Sequence, residues 1–170
     1  MMRRRNILKW TVYALGVWFV AVLQGDPHLI PRVMGMAPLL IVPCVTAIAM
    51  QEGEIPGAVF GVLGGLVWDV GDGSVFGYNA LFLLVVCVAA ALLVQFLFRN
   101  TLAAEVLFTA IFTLIHGCVT WFFYVYMRGN VDFAHAFLCT ILPTTAYTML
   151  FSVPLYYLVR LARRKLTPAE

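Results

Sequence analysis

The run Gly53–Gly77, GEIPGAVFGVLGGLVWDVGDGSVFG, places glycine at 53, 57, 61 and 65, takes the next four-residue step at Asp69, and continues through Gly73 and Gly77. On a helix, residues four apart stack one turn above another and drift by about 40° per step. Gly53, Gly57, Gly61 and Gly65 therefore predict a slowly winding groove without side chains, and Asp69 continues its face. In an apolar segment such a groove lets a second helix approach closely, because membrane helices associate through packing and small-residue contact. Two uses stay open: packing against the chain's own helices, or docking a partner's transmembrane helix.

The surrounding chain is apolar enough to make this a membrane problem. Of 170 residues, 63% are hydrophobic and 11% charged, against roughly 25% charged in ordinary soluble domains. The length allows one domain, 1–170. The basic stretch Met1–Lys9 precedes an apolar segment with no small-residue cleavage pattern, so that segment is expected to remain as an anchor. Cys44, Cys87, Cys118 and Cys139 fall in apolar segments without CxxC or Cys/His spacing. They read as small packing residues, and no metal, disulfide framework or cofactor is expected.

Six hydrophobic segments predict an all-α membrane protein with six transmembrane helices, at about 7–24, 36–50, 55–70, 79–98, 102–127 and 137–161. The second and third extend only about 22 to 24 Å against a hydrocarbon core of about 30 Å. They call for local thinning or shelter by neighbours. Pro38 and Pro43 in the second segment, and Pro143 and Pro154 in the sixth, predict irregular helices. Six spans bring both termini to one side. Nine cations (Arg3, Arg4, Arg5, Lys9, Arg99, Arg160, Arg163, Arg164 and Lys165) share that side, with only Arg32 and Arg128 opposite. By the positive-inside bias both termini are cytoplasmic. The other face then carries Asp26, His28, Asp69, Asp72, Asp132 and His135 beside those two arginines. The loops are too short for a folded extramembrane domain, so function must reside within the helices, at their ends, or in partners.

Two polar rows are visible. Glu105, Thr109, Thr113, His116, Thr120 and Tyr124 lie within about 100° of one face of the fifth segment. Thr140, Thr144, Thr148, Ser152 and Tyr156 form a similar row in the sixth. Such rows belong inside a bundle. The row from Glu105 to Thr120 reads either as a polar cavity or proton path, or as threonines bonding their own i−4 carbonyls around a satisfied histidine. Glu105 also suits the start of its helix, after Asn100 and Thr101 and near Arg99. Asp69 has only Asp72 as a sequence-near partner, a poor basis for acid–base catalysis. It reads as a fold-locking or partner-contacting carboxylate, or as a polar helix end.

The basic N-terminus, the proline-containing MAPLLIVPCVTAIAM (36–50), the acidic turn QEGE (51–54), the run GAVFGVLGGLVWD (57–69) and the following FGYNALFLLVV (76–86) together resemble the bacterial rod shape-determining membrane protein family MreD. That resemblance implies a non-enzymatic scaffold of the elongation (rod-shape) machinery. It implies direct binding of MreC, broader association with MreB, RodA and a class B penicillin-binding transpeptidase, and a role coupling peptidoglycan synthesis to the MreB cytoskeleton. It also implies a fold similar to the S-components of energy-coupling-factor transporters, and hence an alternative role as a vitamin-binding S-component. Against the alternative, an S-component would carry Ala-x-x-x-Ala in its first helix, whereas this chain has Ala14 and Ala21. Membrane lipid is an expected contact and nucleic acid is not.

Overall fold

The computed structural model describes residues 2–25, 37–72, 75–124 and 137–166, with no account of the side chains of 2–6, 72 and 124. Among them are six helices and no strand: α1 (Met2–Gly25), α2 (Ile41–Glu52), α3 (Glu54–Asp72), α4 (Tyr78–Phe96), α5 (Leu102–Tyr124) and α6 (Leu142–Leu166). A π-helical turn, Phe137–Ile141, leads into α6. The expected start of the second segment at Met36, the end of the fifth at Met127, and Asp26, His28, Arg32, Gly73, Arg128, Asp132 and His135 lie outside the described residues.

Helix α2 is the axis of the bundle. It is apolar all round, and every side chain from Ile41 to Gln51 is buried. It packs against each of the other five helices. Twelve residues extend only about 18 Å, so α2 is shorter than the hydrocarbon core and is sheltered from lipid by its neighbours. Its limits have local causes. Pro38 lies before the helix, and Pro43 stands in its first turn, where a missing N–H costs nothing. The expected irregular helix over 36–50 is thus a regular one displaced toward the C-terminus.

The orphan N–H groups at the start of α2 are satisfied by other helices: Leu39 N–H donates to Thr148 Oγ1 (3.0 Å) and Ile41 N–H to Gln24 Oε1 (3.0 Å). At the far end Asn100 Nδ2 donates to the Met50 carbonyl (2.9 Å). Gly53 ends α2 with φ +97°, a left-handed conformation that favours glycine, and its N–H closes on the Ala49 carbonyl at 3.0 Å.

The remaining helices are long and apolar enough to cross a membrane: Ile7–Gly25, Glu54–Gly71, Tyr78–Phe96, Leu102–Phe123 and Phe137–Leu166. The third segment is longer than its sequence suggested, at 19 residues, or about 28 Å. Outside the core, large apolar side chains such as Leu15, Phe19, Leu81, Val85, Leu107, Ile111 and Leu150 point outward. This is the surface of a protein solvated by lipid tails. Cys44 and Cys87 are buried, Cys118 is half-buried, and Cys139 is exposed, so it is not the packing residue expected.

Candidate functional site

The glycine face of α3 meets α4. A Cβ built on Gly61 would stand 2.7 Å from the Leu83 carbonyl oxygen and 3.0 Å from Cys87 Sγ. On Gly65 it would stand 2.5 Å from the Ala80 nitrogen and 2.6 Å from the Asn79 oxygen. On Gly57 it would meet α2 instead, 2.6 Å from Ala49 Cβ. Gly64, off the four-residue step, faces Val45 and Val17 of α2 and α1 at 3.0 and 3.3 Å. Gly53 takes no part in this face: nothing lies within 4 Å of its Cβ direction, and its role is the chain reversal after α2.

Asp69 closes the same seam. Helix α4 begins at Gly77, which has no side chain to cap it. The carboxylate of Asp69 reaches across from α3, accepting from Gly77 N–H (2.8 Å), Asn79 N–H (3.0 Å) and Ala80 N–H (3.4 Å). An anion at a helix N-terminus satisfies orphan donors and complements the dipole. Asp69 is only 2% exposed, so this is a cap supplied from a neighbouring helix inside the bundle. The side chain of Asp72, its sequence neighbour, lies outside the described residues.

Asn79 carries the seam onward to α5. Its Oδ1 lies 2.9 Å from His116 Nε2. The imidazole stacks on Trp68 (centroids 4.9 Å apart, 29°) and meets the edge of Phe82 at 4.9 Å. One turn on, the hydroxyls of Tyr78 and Thr120 are 3.2 Å apart. Beside this group lies a cavity of about 480 Å³. Its walls include Gln24, Trp68, Thr113, His116, Thr120, Trp121, Thr140 and Thr144. Thr113 Oγ1 is buried in that wall without a hydrogen-bond partner.

The polar row of α5 therefore divides. Thr113, His116 and Thr120 line the cavity. Glu105 and Thr109, fully buried, lie apart from it, where Glu105 Oε1 accepts from Thr46 of α2 (2.9 Å) and Thr109 (3.4 Å). Thr101 caps α5 through its Oγ1, which accepts Ala104 N–H at 3.3 Å. The row in α6 divides too: Thr140 and Thr144 reach the cavity, while Thr148 donates to the Thr144 carbonyl (2.7 Å) and caps α2. The side chain of Tyr124 lies outside the described residues.

A second polar group, at the opposite end of the bundle, escapes sequence reading. Lys9 pairs with Glu52 at 2.7 Å, and Tyr13 donates to the same carboxylate at 2.9 Å. Arg163 stands 3.8 Å from it. Lys9 just inside the first apolar segment and Glu52 in the acidic turn after the second were the available signal, since charges beside apolar segments need partners when the bundle buries them. Their separation along the chain hid which would pair. Among the described residues no group of three His, Cys, Asp or Glu side chains is arranged to hold a metal ion.

No curated protein and no solved structure matches the chain. The family described as rod shape-determining protein MreD matches residues 4–166, a span that takes in all six helices except the first two residues of α1. The six-helix apolar bundle and a match over nearly its whole length lead to one conclusion: the chain belongs to the MreD family and takes part in rod shape determination.

Proposed function

We propose that this chain is a non-enzymatic scaffold of the bacterial inner membrane, with both termini cytoplasmic, that binds MreC and helps couple peptidoglycan synthesis to the MreB cytoskeleton. RodA and a class B penicillin-binding transpeptidase are the wider assembly. The observation that carries the reading is the family match over residues 4–166. The geometry supports a structural use of the seam: Gly61, Gly65 and Asp69 are turned toward α4. On this reading the seam sets the shape of a rigid α3–α4 platform. A partner helix docks on an outward apolar face, such as that bearing Ile55, Val59 and Leu63, rather than in the glycine groove itself.

The test is capture of co-expressed MreC by tagged protein. MreC is expected in stoichiometric yield, and its absence from well-folded, monodisperse protein overturns the scaffold. Reporter tags on the two termini test the orientation, and tags found on opposite sides refute it.

The cavity of about 480 Å³ favours a second reading, a vitamin-binding S-component. Mass spectrometry of purified protein discriminates the two. A stoichiometric vitamin, or co-purified energy-coupling ATPases, reverses the ranking.

A further inference from the structure

Near the Lys9–Glu52 pair, the last turn of α2, the α4–α5 connection and the last turns of α6 enclose a cleft of about 370 Å³. It is lined by Gln51, Asn100, Tyr156, Arg160, Arg163 and Arg164. Several of these have partners within the protein: Asn100 donates to the Met50 carbonyl, Tyr156 donates to Asn100 Oδ1 at 3.2 Å, Arg163 Nε stands 3.8 Å from Glu52 Oε1, and the Arg160 guanidinium lies 5.9 Å from the centroid of the Tyr156 ring. The amide nitrogen of Gln51 does not. The residue is 5% exposed, it lines the cleft, and its Nε2 is buried with no acceptor. A buried donor left unmatched is costly and points to an acceptor that completes the site.

The charge around the cleft indicates what that acceptor is. Three arginines line it, and the nearby carboxylate, Glu52, is matched by Lys9 at 2.7 Å on one oxygen with Arg163 at 3.8 Å from the other, so the cations Lys9, Arg160, Arg163 and Arg164 outnumber it. The balance favours an anion with several oxygens, and guanidinium groups grip phosphate through paired N–H donors. Leu158 and Leu161, exposed apolar residues on the same turns of α6, offer acyl chains an apolar surface at this end of the bundle.

We propose that this cleft is a binding site for the phosphate of an anionic phospholipid headgroup, held by Arg160, Arg163 and Arg164 and by the amide of Gln51. Assignment to the cytoplasmic leaflet rests on the orientation proposed above; the chemistry of the site does not. The lipid then clamps the end of α6 against α2, at the end of the bundle where basic residues are densest.

Purified full-length protein in nanodiscs of equimolar phosphatidylglycerol and phosphatidylcholine tests the site, with retained lipid counted by native mass spectrometry after delipidation. One phosphatidylglycerol is expected to persist, preferred by about fivefold or more, the scale of a single basic contact at a membrane surface. Arg160→Gln/Arg164→Gln and Gln51→Leu should reduce the preference toward parity, whereas Arg3→Gln/Arg4→Gln, which removes the same charge from the first turn of α1, should not. Arg164 is exposed, so Arg164→Glu tests the site without altering buried packing. Unchanged preference in a folded Arg164→Glu variant, or equal retention of phosphatidylcholine by the parent, overturns the proposal. Displacement of the lipid by excess inorganic phosphate, which then binds alone, identifies a soluble phosphate ligand and overturns the lipid assignment. Both leaflets of the nanodisc have the same composition, so a negative result counts against the site and not against the orientation.

Discussion

Replacing Gly65 by alanine adds one methyl group where α3 and α4 have no room for it. That Cβ falls 2.5 Å from the Ala80 nitrogen and 2.6 Å from the Asn79 oxygen, and closer still to Ala80 Cα. These are backbone atoms, so no rotamer change relieves the clash and the helices must separate. Overpacking of this kind costs about 1–3 kcal/mol, and a purely backbone obstruction belongs at the upper end. The separation also draws the first turn of α4 away from Asp69, whose bonds to Asn79 and Ala80 are 3.0 and 3.4 Å long. Weakening them adds about 1 kcal/mol, while the better helix propensity of alanine returns about 1 kcal/mol. The net loss is about 3 kcal/mol, a fall in melting temperature of roughly 6–12 °C on the scale of domains this size. Gly16→Ala and Gly71→Ala are the controls, since nothing lies within 4 Å of either Cβ direction. Gly64→Ala should fall between, because the obstructing atoms are side-chain methyl groups, the nearest at 3.0 Å. Thermal unfolding in detergent, read by tryptophan fluorescence and by recovery on size exclusion, gives the order. If Gly65→Ala melts with Gly71→Ala, the close α3–α4 seam is wrong.

Asp69→Asn keeps the shape of the cap but turns an N–H₂ toward backbone donors and removes its charge. A loss of about 2–4 kcal/mol should appear in the same melt, together with faster hydrogen exchange at Asn79 and Ala80; normal protection there refutes the cap. Glu52→Leu strands Lys9 in a largely buried position and should cost about 3 kcal/mol. Adding Lys9→Met should restore most of it, and a double variant no better than the single one contradicts a paired site. His116→Phe keeps the aromatic packing on Trp68 and Phe82 but removes a bond to Asn79, so it should cost only about 1 kcal/mol and leave capture of MreC intact. Loss of function with normal assembly would instead make the cavity the working site.

Much of this organisation is legible in residue spacing. The four-residue step brings Gly57, Gly61, Gly65 and Asp69 to one side of α3, and a side without Cβ atoms beside a carboxylate demands a close backbone neighbour that supplies N–H donors. The polar row of α5 points inward for the same kind of reason: lipid offers threonine and histidine nothing to bond. Gly53 shows the limit, because a glycine needed for a left-handed turn and a glycine needed for close packing look identical in a periodic string. Helix α2 is less legible still. An apolar run with no polar face fits a helix bathed in lipid as well as one enclosed by protein, and only the contacts of all five neighbours distinguish the two. Pairings such as Glu52 with Lys9, or His116 with Asn79, join residues 43 and 37 positions apart, distances over which one sequence carries no pairing signal.

The enclosure of α2 has a consequence for how the protein is made. Its start is held by Gln24 of α1 and Thr148 of α6, and its end is held through Asn100, which is steadied in turn by Tyr156 of α6. As the ribosome delivers segments in order, α2 emerges second, too short to settle across the bilayer alone, and its last ligands emerge sixth. The nascent bundle therefore carries an unfinished axis through most of its synthesis, and the arrival of the final helix locks it. A chain stopped before α6 should be recognised by membrane quality control as incomplete however well its earlier helices have inserted.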